Sequence, residues 1–391
     1  MRYIRFLKTP KIQDNSVKTT ITVTSDLGET FLNAEIDLIA TLQCVDDPYQ
    51  THLRQTLRWR PGLRALPVTF PIVGKIIKWP CSVHVSLVQP SDYDAFENRE
   101  DASSLPSVVS VWSDGLDPPN RIATTPRIAE RRFKLLNGRV LRMWEETGES
   151  IARHLWFVFA SSRLSVLTLI TNRDGGIALT AYVDRMITSQ IDQRLLHEES
   201  VGSPPAKRLN IIELGCGCGM VGISLAQSLS DCQVLLTDMP EAEEIACQNL
   251  AIMDPLSSSR AAFVTLDWEE PLPKVVAEQE FDLVVVSECT YNTDTIPALV
   301  QTLSALARRS PNAIVLLSTK VRHSSESIFF DLMQKTNLLK VGHTELPLPK
   351  DASSDDDPEV IHVYIFQGKE AVNSILSRRD GKPRIDFLPP Q

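Results

Sequence analysis

The spacing of apolar positions changes character near residue 140. Before it, short β-branched runs bounded by Pro, Gly, Asp and Ser predict strands at Thr20–Thr24, Ser82–Val88 and Val108–Trp112. Helical spacing in this half is confined to Ala34–Leu42. Asp92–Pro106 and Ser113–Pro126 read as loops. Residues 1–137 are therefore expected to form a β-rich module.

From about residue 205, continuous apolar runs alternate with amphipathic ones. The runs Leu209–Leu214, Gln233–Thr237, Ala262–Leu266, Phe281–Val286 and Ala313–Ser318 predict buried strands. Helices are expected over Val221–Leu229, Glu241–Met253, Thr295–Arg308 and Ser325–Asn337. Such alternation implies right-handed βαβ units and a parallel sheet covered on both faces. The end differs, because Leu338–Leu346 and Val360–Gln367 have only the turn-rich acidic stretch Pro347–Glu359 between them. A parallel pair needs a long crossover, so these two predict an antiparallel hairpin at one edge. The expected fold is a Rossmann-like α/β sheet of seven strands over residues 138–370, with 371–391 as a flexible tail.

Composition narrows the setting. The 391 residues are 43% hydrophobic and 23% charged, enough for a sizeable core. A net charge of −9 argues against a general nucleic-acid coat. Seven scattered cysteines do not form a secreted disulfide framework, so a reducing compartment is expected, the cytoplasm first and the nucleus second. The first 15 residues lack the features of a signal peptide. Leu155–Ile170 is greasy but too short to span a bilayer, and it carries Arg163, so no membrane partner is expected. His52 and His84 read as satisfied structural histidines, and Trp59, Trp79 and Trp112 as core.

The sharpest chemistry lies in IIELGCGCGMVG, Ile211–Gly222. Glycines at a strand-to-helix turn let the backbone approach a ligand closely. Gly215, Gly217, Gly219 and Gly222 do this around Cys216, and Asp238 closes the next strand 19 residues beyond Gly219, where an acid can accept from ribose hydroxyls. The spacing admits a dinucleotide or S-adenosylmethionine (SAM). Three features favour SAM. Glu213 at the mouth can meet its ammonium or ribose but would oppose a pyrophosphate. Asp267 and Trp268 follow the third strand, where a ring can lie on adenine and an acid can accept from its amine. The reversed terminal strand also suits a SAM enzyme. Cys216 and Cys218 lack two further clustered ligands in sequence, so no metal is expected.

The fourth strand runs through Ser287 into Glu288-Cys-Thr-Tyr291-Asn292, at the strand ends where open α/β sheets bind ligands. With ELGCGCG, TDMPE, LDW and SECTYN at these intervals, the chain resembles the family-16 methyltransferases, the lysine methyltransferase-like branch of the seven-β-strand SAM enzymes, in a fungal-type form with an extra N-terminal module. The resemblance implies a [D/E]xxY motif at Glu288 and Tyr291, though the family more often has Asp there. It also implies a cofactor-lining Trp at Trp156, followed by an acid and small residues opening a helix. That continuation stands only at Asp174-Gly175-Gly176. Residues 157–173 thus look inserted, as a loop or as translated intron; a greasy, motif-free insert favours the intron.

The implied activity is SAM-dependent methylation of a lysine side chain in a protein. Glu288 would orient the amine, and the Tyr291 hydroxyl and ring would add an acceptor and a face for the cation. Competing readings are a small-molecule or nucleic-acid acceptor, a non-catalytic SAM-fold binding protein and a nicotinamide oxidoreductase. The Asn/Asp-Pro-Pro-aromatic signature of base-amine methylation is absent after strand four, which makes nucleic acid the weaker acceptor.

Overall fold

A computed structural model describes residues 1–47, 50–88, 92–96, 105–147, 174–196, 208–290, 292–320, 327–350 and 358–377. Trp156, Tyr291, the segment 157–173 and the tail beyond residue 377 lie outside the described residues.

The chain begins as a hairpin. β1 (Arg2–Gln13) and β2 (Ser16–Thr24) are joined by Asp14 and Asn15, with φ of 49° and 53°, the left-handed pair that a tight hairpin turn requires. The remaining front strands are β3 (Ile36–Cys44), β4 (Thr51–Trp59), β5 (Leu66–Pro71), β6 (Cys81–Leu87), β7 (Asp94–Ala95), β8 (Val108–Val109), β9 (Val111–Ser113), β10 (Ile128–Lys134) and β11 (Val140–Glu146). They form a four-stranded sheet in the order β5-β2-β1-β8 and a seven-stranded sheet in which β11-β10-β9-β6-β3-β4 run in sequence and β7 pairs with β10. Ile4, Phe6 and Ile21 of the first sheet share a core with Leu38, Leu42, Val83 and Val85 of the second.

Several expectations are corrected. Ala34–Leu42 does not form a helix; it lies mostly in β3, a central strand buried on both faces, which removes the polar alternation that marks a half-exposed strand. The expected loop Asp92–Pro106 contains β7, and Asp94 accepts hydrogen bonds from the Ser110 N–H and hydroxyl. The hairpin β10–β11 carries Val140–Glu146 across the expected boundary at residue 138 into the front sheet. Lys369–Ser377 is a helix, with Ala371 buried, where a flexible tail was expected. His84 is not satisfied: among the described residues neither buried ring nitrogen has a hydrogen-bond partner, and the ring stacks on Trp112 at 4.1 Å.

The second half is the expected sheet. β12 (Leu209–Leu214), β13 (Cys232–Asp238), β14 (Arg260–Thr265), β15 (Leu283–Ser287), β16 (Ile314–Thr319), β17 (Leu338–Pro347) and β18 (Val360–Gly368) are ordered β14-β13-β12-β15-β16-β18-β17. All neighbours are parallel except around β18, which is antiparallel to β16 and β17. Helices α1 (Asp174–Leu196), α2 (Met220–Ser228) and α3 (Glu243–Ile252) cover one face; α4 (Lys274–Ala277), α5 (Ile296–Arg309) and α6 (Ser327–Met333) cover the other, and α7 (Lys369–Ser377) ends the described chain. Phe133, Leu141 and Met143 of the front sheet enter the same core as Ile177 of α1 and Val221 of α2. The two halves therefore share a core. Among the described residues, no helix is long and apolar enough to cross a membrane.

His84 gives a pH prediction. Burial, then the nearby Arg132, push its pKa from 6.5 down to about 3. The unfolded chain takes up a proton near 6.5 that the folded chain refuses, so stability is lost as pH falls through that value. By pH 5 the loss is about 2 kcal/mol. Measured by urea unfolding, the wild type should lose about 2 kcal/mol relative to His84→Phe between pH 7 and 5, the contributions of other groups cancelling in the comparison; parallel pH profiles for the two would disprove it.

Candidate functional site

Period two along β12 decides where Glu213 points. Ile212 and Leu214 enter the core beneath α5, whereas Ile211 and Glu213 face the α2 side. Glu213 is buried there, and its Oε2 accepts the Gly222 N–H at 2.8 Å. The expected carboxylate at the mouth is thus a buried brace beneath the turn. Burial, opposed by that hydrogen bond and aided by Asp238, raises its pKa to about 8.

Above it, the glycine turn is shaped on both sides. A Cβ at Gly222 would lie 2.7 Å from Glu213 Oε2 and strike Leu236, so only glycine lets α2 pack this closely on the sheet. Gly219 opens α2 with φ of 83°, and a Cβ there would lie 2.7 Å from Leu236. A Cβ on Gly215 would meet Cys289 Sγ at 2.5 Å and the half-buried Trp268 ring at 3.2 Å. Gly217, with φ of 53°, is different: among the described residues a Cβ there meets nothing within 4 Å. The turn's open face lies at Gly217.

Asp238 stands beside that face. Its Oδ2 accepts the Gly217 N–H at 2.7 Å and its Oδ1 the Met239 N–H, also at 2.7 Å. Cys216 donates its N–H to Thr237 O at 3.0 Å, tying the turn to β13. Burial holds the Cys216 and Cys218 thiols well above their usual pKa, with Glu213 adding to the effect at Cys216 and Glu145 at Cys218. They are packed thiols rather than thiolates. Asp267 Oδ1 accepts the Glu269 N–H at 2.9 Å.

Across the cleft, β15 ends at Ser287, whose hydroxyl pairs with that of Ser318 at 3.0 Å. Glu288 follows with φ of 56°, a left-handed backbone unusual for a side chain of this size. It is 6% exposed, and its N–H donates to Ser318 O at 2.9 Å. Its carboxylate occupies the space a Cβ on Gly175 would need, against the first turn of α1. A negative charge is favourable at that helix end.

Sequence reasoning missed how α1 is held. Asp174 is buried; Oδ1 accepts from the Tyr3 hydroxyl and Oδ2 from Lys320 Nζ, both at 2.9 Å. Lys320 also donates to Glu359 Oε2 at 2.8 Å. Burial works against the Lys320 ammonium, yet Asp174 and its neighbours hold its pKa above the usual value. The signal available was position alone: Lys320 follows the carboxyl end of β16.

The open glycine, the acid beside it and the Trp268 wall fit a nucleoside-bearing ligand approached by backbone. Together with the strand order they define a SAM-dependent methyltransferase with a Rossmann-like sheet, and SAM is its methyl donor. The sequence profile of the lysine methyltransferase family matches residues 135–336, and the chain belongs to that family. It is 25% identical over 340 residues to the UPF0665 family protein C23C4.06c of Schizosaccharomyces pombe, covering 84% of this chain and 91% of that one. It is 32% identical over 169 residues to the mouse protein N-lysine methyltransferase METTL21A, covering 43% of this chain and 70% of that one. To EEF1A lysine methyltransferase 3 of Xenopus tropicalis it is 33% identical over 132 residues, covering 32% of this chain and 54% of that one.

Glu213 supplies a second prediction. An acid whose folded pKa is near 8 against 4.5 ordinarily loses stability as pH rises between these values, by about 3 kcal/mol at pH 7. Glu213→Gln keeps an oxygen for the Gly222 N–H and should be more stable than wild type at pH 7, but equal to it at pH 4.5. Glu213→Ala strands that N–H and should lose about 1–3 kcal/mol relative to the Gln variant. Denaturant midpoints at both pH values check the pair.

Proposed function

We propose that the protein transfers a methyl group from SAM to the side-chain amine of a lysine in a protein substrate. When bound, SAM supplies a methyl carbon activated by its sulfonium. The chain's own residues have two tasks: to hold that cofactor and to present a neutral amine in line with it. Asp238 would accept from the ribose hydroxyls, with Gly217 leaving room for the adenosyl group. Trp268 would wall the cofactor beside Gly215, with Asp267 and Ser287 at the cleft's margin.

The observation that carries the reading is Glu288. A buried carboxylate at the carboxyl end of a central strand, on a left-handed backbone, is a costly arrangement found mainly where a site requires it. Placed so, it can accept a hydrogen bond from the incoming amine and aim its lone pair. An ammonium has no lone pair, so its proton must leave first, to solvent or to the carboxylate. Tyr291 completes the motif in sequence, as second acceptor and cation-facing ring. The names of METTL21A and EEF1A lysine methyltransferase 3 support a protein acceptor. Seven free thiols support a reducing compartment, with the cytoplasm as the first candidate.

The test incubates the full chain with cell extract and labelled SAM. Glu288→Ala should lower transfer about 10²-fold or more with little change in SAM affinity, whereas Asp238→Ala should weaken SAM binding about tenfold or more. Label transfer indifferent to both substitutions sinks the assignment. Gly175→Ala offers a separate check. Helix propensity favours Ala by about 1 kcal/mol, yet the added methyl must displace the Glu288 carboxylate. Its turnover should fall about 10²-fold while SAM affinity holds.

A further inference from the structure

The outer hairpin brings together three ligating side chains that the cofactor cleft does not use. In the β17–β18 pair, Glu345 lies opposite His362 and His343 opposite Tyr364. Residues 343 and 345 alternate along one strand and so share a face, and the cross-strand position of His362 places it on that face too. His343 Nε2 is 3.1 Å from His362 Nδ1, and His362 Nδ1 is 3.6 Å from Glu345 Oε1. All three ligand atoms fall within 4.8 Å of one another.

A tetrahedral zinc ion with ligands about 2.0–2.1 Å away separates adjacent ligand atoms by roughly 3.3 Å, between these two spacings. His343 is also held in plane, stacked on Tyr364 with ring centroids 4.5 Å apart and planes 8° from parallel. Two imidazoles and one carboxylate are a donor set for a divalent first-row ion; magnesium and calcium call for oxygen ligands.

We propose that His343, Glu345 and His362 form a surface zinc site, with the fourth position open to water or a partner's side chain. Two neutral imidazoles bind without net proton release: the ring that donates in the His343–His362 hydrogen bond shifts its proton to its other nitrogen, and both facing lone pairs turn to the metal. Lys340, over the Tyr364 ring at 5.5 Å, opposes the cation, so the site is weaker than a closed structural one. Bound zinc would clamp β17 to β18 at the end of the hairpin that delivers Glu359 to Lys320.

The test titrates zinc chloride into the full chain by calorimetry, beside His343→Ala, His362→Ala and Glu345→Gln. His343 and Glu345 are exposed and His362 half-buried, so the variants should keep the wild-type circular dichroism. Each histidine variant should bind zinc at least tenfold more weakly, since even losing an outer hydrogen-bond partner costs about 10–100-fold. Cobalt chloride should give visible absorption in the wild type that His343→Ala loses. The proposal fails if the wild type binds no zinc or if the histidine variants bind it equally well. It also fails if alkylating the thiols, among which Cys247 is exposed, abolishes binding that the histidine variants retain.

Discussion

The site rests on one close approach: the Glu288 carboxylate fills the volume that any side chain at residue 175 would need. Two elements distant in sequence must meet there without error, and each is fastened separately. On the strand side, a left-handed residue costs about 1–2 kcal/mol and has to be held. The Glu288 N–H on Ser318 O and the hydroxyl pairs Ser287–Ser318 and Thr290–Thr319 bind the end of β15 to β16. On the helix side, Asp174 anchors the first residue of α1 between Tyr3 and Lys320.

That anchoring gives the front module a physical role. Strand β1 is covered on both faces: Ile4 and Phe6 fill the sandwich core while Tyr3 reaches Asp174. A second bridge runs through Asn249 of α3. Its Oδ1 accepts the Trp144 N–H at 2.6 Å, and its Nδ2 donates to Trp144 O and Cys218 O at 2.9 Å. One buried amide thus joins β11 to the glycine turn. The fission-yeast relative aligns over 84% of this chain, more than the second half alone could supply, so the likeness extends into the front module.

The second half was legible because its strands are buried on both faces and its helices are not, a contrast that apolar spacing reports directly. The glycine turn was legible for a related reason: glycine is demanded wherever backbones crowd. Much of the front half was not legible. β10 carries Glu130, Arg131, Arg132 and Lys134, yet Arg131 is buried against Glu145 at 2.6 Å, and Glu130 pairs with Arg132 and Arg142. Strands whose charges are neutralised internally look like surface in one dimension. Side-chain direction was lost as well. Its place before the turn puts Glu213 at the mouth in one dimension, but pleating sends it to the face it shares with Ile211. The zinc ligands needed the hairpin register, which spacing along a single strand does not contain.

Several buried charges in this fold are matched by an opposite charge, and Glu213 is set differently, which bears on what the turn would receive. Arg131 has Glu145, Glu130 has two arginines, and Asp174 has Lys320. Glu213 instead has a second acid, Asp238, which pushes its pKa further in the direction burial already takes it. Asp238 beside the open glycine would raise the cost of an anionic pyrophosphate, while Glu213, with its pKa near 8, is mostly neutral at pH 7. A ligand carrying a sulfonium and an ammonium reverses the sign, because each positive charge brought to the turn favours the ionised acids. With SAM seated at this turn as proposed, the acid pair would favour the methyl donor over a redox dinucleotide before any contact with the adenine is made.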